Sequence, residues 1–405
     1  MPRRSVGDLA AFLIDRIVAC CVARRLNKRE RPNPPFTGVE FDFSDACSEA
    51  CVVSTFIVYS DAADGQWQLA VEAALTELRV LDAHGLSAAE VDAMRAAILA
   101  DSRLRAQQAS TPSVELLTLL MESDALRHTF TEPAHYDRAL HAAADAVDLS
   151  AVNARMRDLI AHVTRYGDAG APRASAVVAC MPAAGGDGLM ADAPLCAALE
   201  RMLRARPTVA SAGVDVCAPP ALVDMGTLGA RALGPQAPRW VEGGDGSGDG
   251  SGGGGAAAAG VRLRRLSNGI AINTMRSSSE PDAVALRLSA PGGRAHAAAG
   301  SPGVLLLATA TMLQGGTVGA FSREEVELYC IAHLIELDME VTEEAVRWDL
   351  HCPVGAGSSS LAAALQLVHV LLTDFRWESD ALERSLALYA AQYDARFKSM
   401  EQAAN

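Results

Sequence analysis

Apolar residues recur at helical spacing over residues 5–31. Leu9, Phe12, Leu13, Ile17 and Cys20 fall on one face, with Asp8, Asp15 and Arg16 on the others, which predicts one amphipathic helix. Pro32 to Pro35 stop it. Two extended runs follow, Thr37 to Ser44 and Glu49 to Ser60. Within the second, Cys51 to Tyr59 is nearly all β-branched or aromatic, the composition of a central strand. Val71, Leu75, Leu78 and Leu81 mark one face of the next helix, which Gly85 closes. Ser87 and Glu90 then have capping-box spacing, each side chain placed to satisfy a free amide of a new helix whose buried stripe is Val91, Met94 and Ile98. Helical stretches near 113–129, 135–146 and 149–165 lead to a short apolar strand, Ala174 to Cys180, and to a helix at about 191–206.

Residues 207–260 break this rhythm. Pro, Gly and Ala dominate, and Gly243 to Gly260 is too poor in large apolar groups to form a core, which predicts an interdomain tether. The periodicity then resumes. Val261 to Leu266, an Asn268-Gly269 turn and Ile270 to Thr274 read as a hairpin, and Ala283 to Ser289 as a further strand. Pro302-Gly303 opens a short apolar helix that ends at Gly315-Gly316. A capped helix from Ser322, strands at 335–341 and 346–352, and paired helices at about 358–374 and 379–399 complete the chain. Strands followed by packed helices in both halves predict α+β: two homologous domains, each a mainly antiparallel sheet with layered helices. The expected organisation is residues 1–206, a Pro/Gly/Ala-rich linker at 207–260, and residues 261–405. The helix pairs at about 67–107 and 358–399 form a weak internal repeat.

Composition narrows the function. Of 405 residues, half are hydrophobic and 21% charged, which supports packed cores rather than disorder. A formal net charge of −14 argues against nucleic acid or an anionic membrane as partner and favours attraction of basic peptides. Nine cysteines without a repeating spacing suit a reduced intracellular compartment and do not suggest a disulfide framework. Leu9 to Ala23 is the nearest stretch to a signal sequence, but Asp15 and Arg16 interrupt it, so the protein is expected to be soluble. The basic run Arg24, Arg25, Lys28, Arg29 and Arg31 reads as a cationic last turn complementing the helix dipole, with a localisation or phosphate patch as the alternative.

No constellation of catalytic residues emerges. Cys20-Cys21 and Cys47 with Cys51 lack a second ligand pair at zinc-site spacing. Gly246, Gly248 and Gly250 match part of a nucleotide loop, but no strand precedes them and no helix follows. His333 and Glu336 come closest to a zinc helix. Leu337 stands where the second His is needed, however, and the following residues alternate like a strand. His128, His135 and His141 are expected on separate helical segments. No Gly-x-Ser-x-Gly elbow marks a nucleophile.

Three places carry a resemblance to the pitrilysin/insulinase (inverzincin) family of zinc metallopeptidases, whose full polypeptide has four homologous α+β domains. Leu26 to Arg29 followed by Pro34 to Gly38 is similar to the entry of the second domain. Leu78 to Val91, with its His84-Gly85 turn, resembles that domain's helix pair. Leu266 to Gly269 with Ser289 to Gly293 resembles the hairpin and strand that open the third. The likeness spans about residues 5–200 and 261–400.

The departures are chemical. In the family, a helix following Pro-Gly carries H-x-x-E-H, two imidazoles that hold zinc and a Glu that activates its water. Aligned from Gly316-Thr317, those positions are Leu307, Ala310 and Thr311, which leaves a buried core helix as the plain reading. Where the family's third ligand would fall, the helix at 382–396 has Leu388, Tyr389 and Ala390, with Glu383 only near its start.

The resemblance therefore implies a chain with no catalytic, cofactor-binding or metal-ligating residue of its own, with zinc belonging to the full family protein. The zinc-bearing first domain and the fourth domain are expected to be missing. The partners implied are a peptide or unfolded polypeptide substrate and the zinc-bearing half, in cis or in trans. A non-catalytic subunit of a processing-peptidase-like complex and an unrelated α+β interaction protein are the alternatives.

Overall fold

The first predicted helix forms as α1 (Val6–Arg29). Ser5 and Asp8 start it: the Asp8 carboxylate accepts from the Ser5 amide at 2.9 Å, and the Ser5 hydroxyl accepts from the Asp8 amide at 3.2 Å. The computed structural model describes residues 3–29, 38–46, 51–60, 66–107, 113–171, 178, 192–206, 218–224, 226, 240–241, 261–266, 269–276, 283–296, 303–354 and 359–396. The strand expected at Ala174 to Cys180 and the glycine tract at 243–260 lie outside these, apart from Val178.

The first half continues with β1 (Gly38–Ala46), β2 (Cys51–Tyr59), α2 (Gln66–His84), α3 (Ala88–Gln107), α4 (Ser113–Ala125), α5 (Pro133–Ala144), α6 (Leu149–Thr164) and α7 (Asp192–Arg204). β1 and β2 pair antiparallel from Gly38 opposite Tyr59 to Ala46 opposite Cys51. Among the described residues β2 pairs only with β1. Its alternate residues Thr55, Ile57 and Tyr59 face outward, so one face of the strand is on the core and the other is exposed.

α1 is the axis of this half, with β1, α2, α3, α5 and α6 packed around it. Leu13, Ile17, Cys21, Val22 and Leu26 are fully buried, whereas Cys20 is at the surface. Neighbours on several sides widen the buried face beyond one helical stripe. Of the basic run that ends α1, the two arginines whose side chains are described depart from the sequence reading. Arg24 and Arg25 reach across to Glu90 at 3.0 and 2.7 Å, and so are partners of a buried acid rather than a dipole complement or a phosphate patch.

The turn between α2 and α3 is held from outside. Gly85 has φ +77°, and a Cβ there would come 2.8 Å from Asn153 Oδ1. Asn153, on α6, accepts from the Leu86 amide at 2.7 Å and donates to the Leu86 carbonyl at 3.1 Å. The capping box follows as predicted: Glu90 accepts from the Ser87 amide at 3.0 Å, and Ser87 Oγ from the Glu90 amide at 3.3 Å. The helix expected to reach 129 stops at Ala125, where Arg127 takes a left-handed φ of 52°.

The second half holds β3 (Trp240–Val241), β4 (Arg262–Leu266), β5 (Ala271–Thr274), β6 (Ala283–Pro291), α8 (Val304–Gly315), α9 (Arg323–His333), β7 (Glu336–Val341), β8 (Ala345–Pro353), α10 (Ser360–Thr373) and α11 (Ser379–Arg396). Its strands form two antiparallel sheets, β3-β4-β5 and β6-β8-β7. In the latter, Leu286, Leu350 and Trp348 point to the core under α9 and α10, while Arg287 and Asp349 pair on the outer face at 2.6 Å.

Among the described residues, α9 and the stretch around 218–223 join the halves. Leu328 of α9 is 2% exposed and belongs to the core around α1, while its neighbours Val326 and Tyr329 belong to the core beneath α10. Within the Pro/Gly/Ala-rich stretch, Ala218 packs on the first core and Leu222 lies in the second. There the amides of Leu222 and Val223 donate to Gln366 Oε1 at 3.1 and 3.3 Å. The fold is α+β, with small antiparallel sheets and packed helices.

Candidate functional site

α8 is the element on which the family's zinc chemistry would sit. Gly303 at φ +83° enters it and Gly316 at φ +61° ends it, with the Gly316 amide donating to the Met312 carbonyl. Thr311 is buried, and its hydroxyl donates to the Leu307 carbonyl at 2.7 Å. Thr309 likewise donates to the Leu305 and Leu306 carbonyls. Positions 307 and 311 therefore share a face, as i and i+4 require. One is an alkyl group and the other a hydroxyl already satisfied by its own helix.

Neither residue can supply an imidazole, and Ala310 cannot take a proton, so this donor set does not fit zinc. The side of α11 toward α8 carries Ala381 and Ser385, both buried, and a Cβ added at Gly315 would lie 3.3 Å from Ala381 Cβ. Small residues bring the two helices close. Glu383, Leu388, Tyr389 and Ala390 are all exposed.

An open cleft of about 610 Å³ lies where the C-terminus of α8 meets the N-termini of α9 and α11. Thr317, Arg323, Arg376, Trp377, Glu378 and Arg384 are among its walls. Several of its polar groups bond one another or the backbone: Thr317 donates to Glu378, Arg323 to Glu327 at 2.8 Å, and Arg376 to the Phe321 carbonyl at 3.3 Å. Mixed charges with an exposed indole can contact a polypeptide, but no nucleophile is paired with a base there.

The other candidate residues do not converge. The His333 ring packs against Tyr329 at 4.6 Å, and burial holds its pKa below the usual histidine range. Glu336 points from β7 into solvent, 4.0 Å from His351, a histidine the sequence reading did not single out. Leu337 turns to the core side, as the predicted strand alternation requires. His135 and His141 lie on α5, the helix predicted at 135–146, and His128 lies outside it, beyond the end of α4 at Ala125. His141 bonds Arg103 at 2.8 Å, and His128 accepts from the Arg3 amide at 3.0 Å. The Cys21 thiol is pushed up to about 12 by burial, which keeps it protonated and unreactive. Among the described residues, no three His, Cys, Asp or Glu side chains gather as a metal site, and no helix is long and apolar enough to cross a membrane.

No family model matches the sequence. Over 99% of its length the chain is 33% identical to the chloroplastic stromal processing peptidase of Arabidopsis thaliana, covering 32% of that protein. It is 31% identical to the Pisum sativum stromal processing peptidase over 97% of the chain and 31% of the relative. Among solved structures, the ferredoxin protease FusC E83A mutant in complex with Arabidopsis ferredoxin matches with a TM-score of 0.45 and 15% identity, over 97% of this chain and 40% of that one. The periplasmic protease PqqL from Escherichia coli matches with a TM-score of 0.39 and 13% identity, over 98% and 39%. The chain spans about a third of the length of the curated relatives it matches. Over nearly its whole length the chain is therefore similar to part of the stromal processing peptidases, in line with its resemblance to the pitrilysin/insulinase family of zinc metallopeptidases.

Proposed function

We propose that this chain is the portion of a zinc metalloendopeptidase that corresponds to the family's second and third domains, walling the chamber that holds an unfolded peptide. Hydrolysis is supplied by a zinc-bearing portion in cis or in trans. The observation that supports this most directly is α8, a helix with the family's flanking turns but with Leu307, Ala310 and Thr311 at the ligand positions. In this reading the division is 1–206, 207–260 and 261–405, and the compartment is intracellular and reduced. The buried, self-satisfied Thr311 also favours a second reading, a non-catalytic subunit whose former metal helix has become core.

The test is turnover of an unfolded basic polypeptide. The chain alone should give no chelator-sensitive cleavage, and adding a zinc-bearing family domain should restore it. Chelator-sensitive cleavage by the lone chain would overturn both readings, and failure of complementation would favour an unrelated α+β interaction protein. Limited proteolysis should cut first within 207–260, and the two products should co-elute, because Leu328 anchors one half in the core of the other.

A further inference from the structure

The sheet β3-β4-β5 differs from the rest of the molecule in charge and in burial. Residues 261–276 carry four arginines, Arg262, Arg264, Arg265 and Arg276, and no acid, in a chain of formal net charge −14. Among the described residues neither face is covered: Leu263, Ile270 and Met275 are 56%, 51% and 62% exposed. A small sheet with apolar groups bare on both sides is marginal in water.

The hydrogen bonding also leaves β5 open along one side. The Leu266 amide donates to the Ile270 carbonyl at 2.8 Å, which makes that facing pair a hydrogen-bonded one. The alternation of an antiparallel ladder then turns the N–H and C=O groups of Ala271 and Asn273 away from β4. Among the described residues no strand pairs with that side.

We propose that β5 is a docking strand for an extended, acidic segment of polypeptide. Three observations converge on this partner. The outward amides and carbonyls of Ala271 and Asn273 offer the main-chain ladder that an added strand takes. Arg262 on one face of β4 and Arg265 on the other have side chains long enough to reach over β5 toward carboxylates of either alternation. The exposed Leu263, Ile270 and Met275 meet apolar side chains between those carboxylates. Nucleic acid and anionic lipid share the charge but have no backbone amides to complete the ladder, and the acidic remainder of the chain repels a uniform polyanion. The inference stands apart from the peptidase reading, since it is measured by binding to the lone chain without turnover.

The experiment is fluorescence anisotropy on the full chain with a labelled peptide of alternating glutamate and valine. An alternating lysine–valine peptide, a single-stranded oligonucleotide and phosphatidylserine vesicles serve as competing probes. The acidic peptide should bind at least about tenfold more tightly than the lysine peptide and weaken with added salt. Arg262→Glu with Arg265→Glu should weaken it about tenfold or more while the circular dichroism and Tm are unchanged. Methylating alternate backbone amides of the peptide should weaken binding by a similar factor, which tests the ladder without altering the protein. Equal affinity for the two peptides, indifference to charge reversal or to amide methylation, or tighter binding of the oligonucleotide or vesicles would overturn the proposal.

Discussion

α3 and α9 both begin with a serine followed three residues later by a glutamate, and both close the same reciprocal box. At α3, Glu90 accepts from the Ser87 amide at 3.0 Å; at α9, Glu325 accepts from the Ser322 amide at 2.7 Å. In both, the serine oxygen accepts from the glutamate amide at 3.3 Å. Their surroundings separate them. Glu325 is half-exposed beside an open cleft, whereas Glu90 is 3% exposed and takes two guanidiniums from the far end of α1. One motif does local work, and the other ties two helices together through a buried charge. A local pattern therefore specifies where a helix starts, while its energetic weight is set by what packs on it.

Replacing Glu90 should break the comparison most severely. Glu90→Ala leaves Arg24 and Arg25 desolvated without their acid, and urea unfolding should report a loss of about 3–5 kcal/mol. Glu90→Gln, which can still cap, should fall between that variant and the native chain. Asn153→Ala removes the side chain that satisfies both backbone groups of Leu86 ahead of α3, and should cost about 1–3 kcal/mol in the same assay. Glu325→Ala should cost only about 1 kcal/mol, the scale of an isolated cap.

A pH titration of stability sharpens the contrast further. Burial pushes the Glu90 carboxyl up, but Arg25 and the Ser87 amide outweigh it and hold the pKa below the ordinary 4.5. With the folded pKa lowered, the contribution of Glu90 is fully present above about 4.5 and is lost as the pH falls through the folded value. The stability gap between the native chain and Glu90→Gln should narrow over that acid range. A gap independent of pH would show that the Glu90 charge is not what holds α1 to α3.

Both boxes, the Asn-Gly hairpin and the limits of α8 were legible in the sequence because each is decided within a few residues. The Arg24 and Arg25 contacts were not, since Glu90 lies 66 and 65 residues away and nothing local pairs them. The departure from zinc chemistry was legible as three residue identities, whereas the bonding of Thr311 to its own helix required the fold. The helix predicted at 135–146 forms as α5 and carries both His135 and His141, because the Pro133 that starts it precedes both. The composition of β2 predicted a strand but not that Thr55, Ile57 and Tyr59 turn outward, because composition reports the fit of side chains to a pleated surface and not the burial of both faces.

The position of Leu328 also bears on how the protein is made. The core around α1 draws on residues up to Leu203 and on Ala218, and then on Leu328 and Ile331 of α9. A ribosome adding roughly 5–20 residues per second reaches α9 on the order of ten seconds after it finishes α7. Through that interval the nascent first half holds an unfilled apolar socket beside α3. Apolar surface that is buried in the finished protein stays in contact with water until α9 arrives.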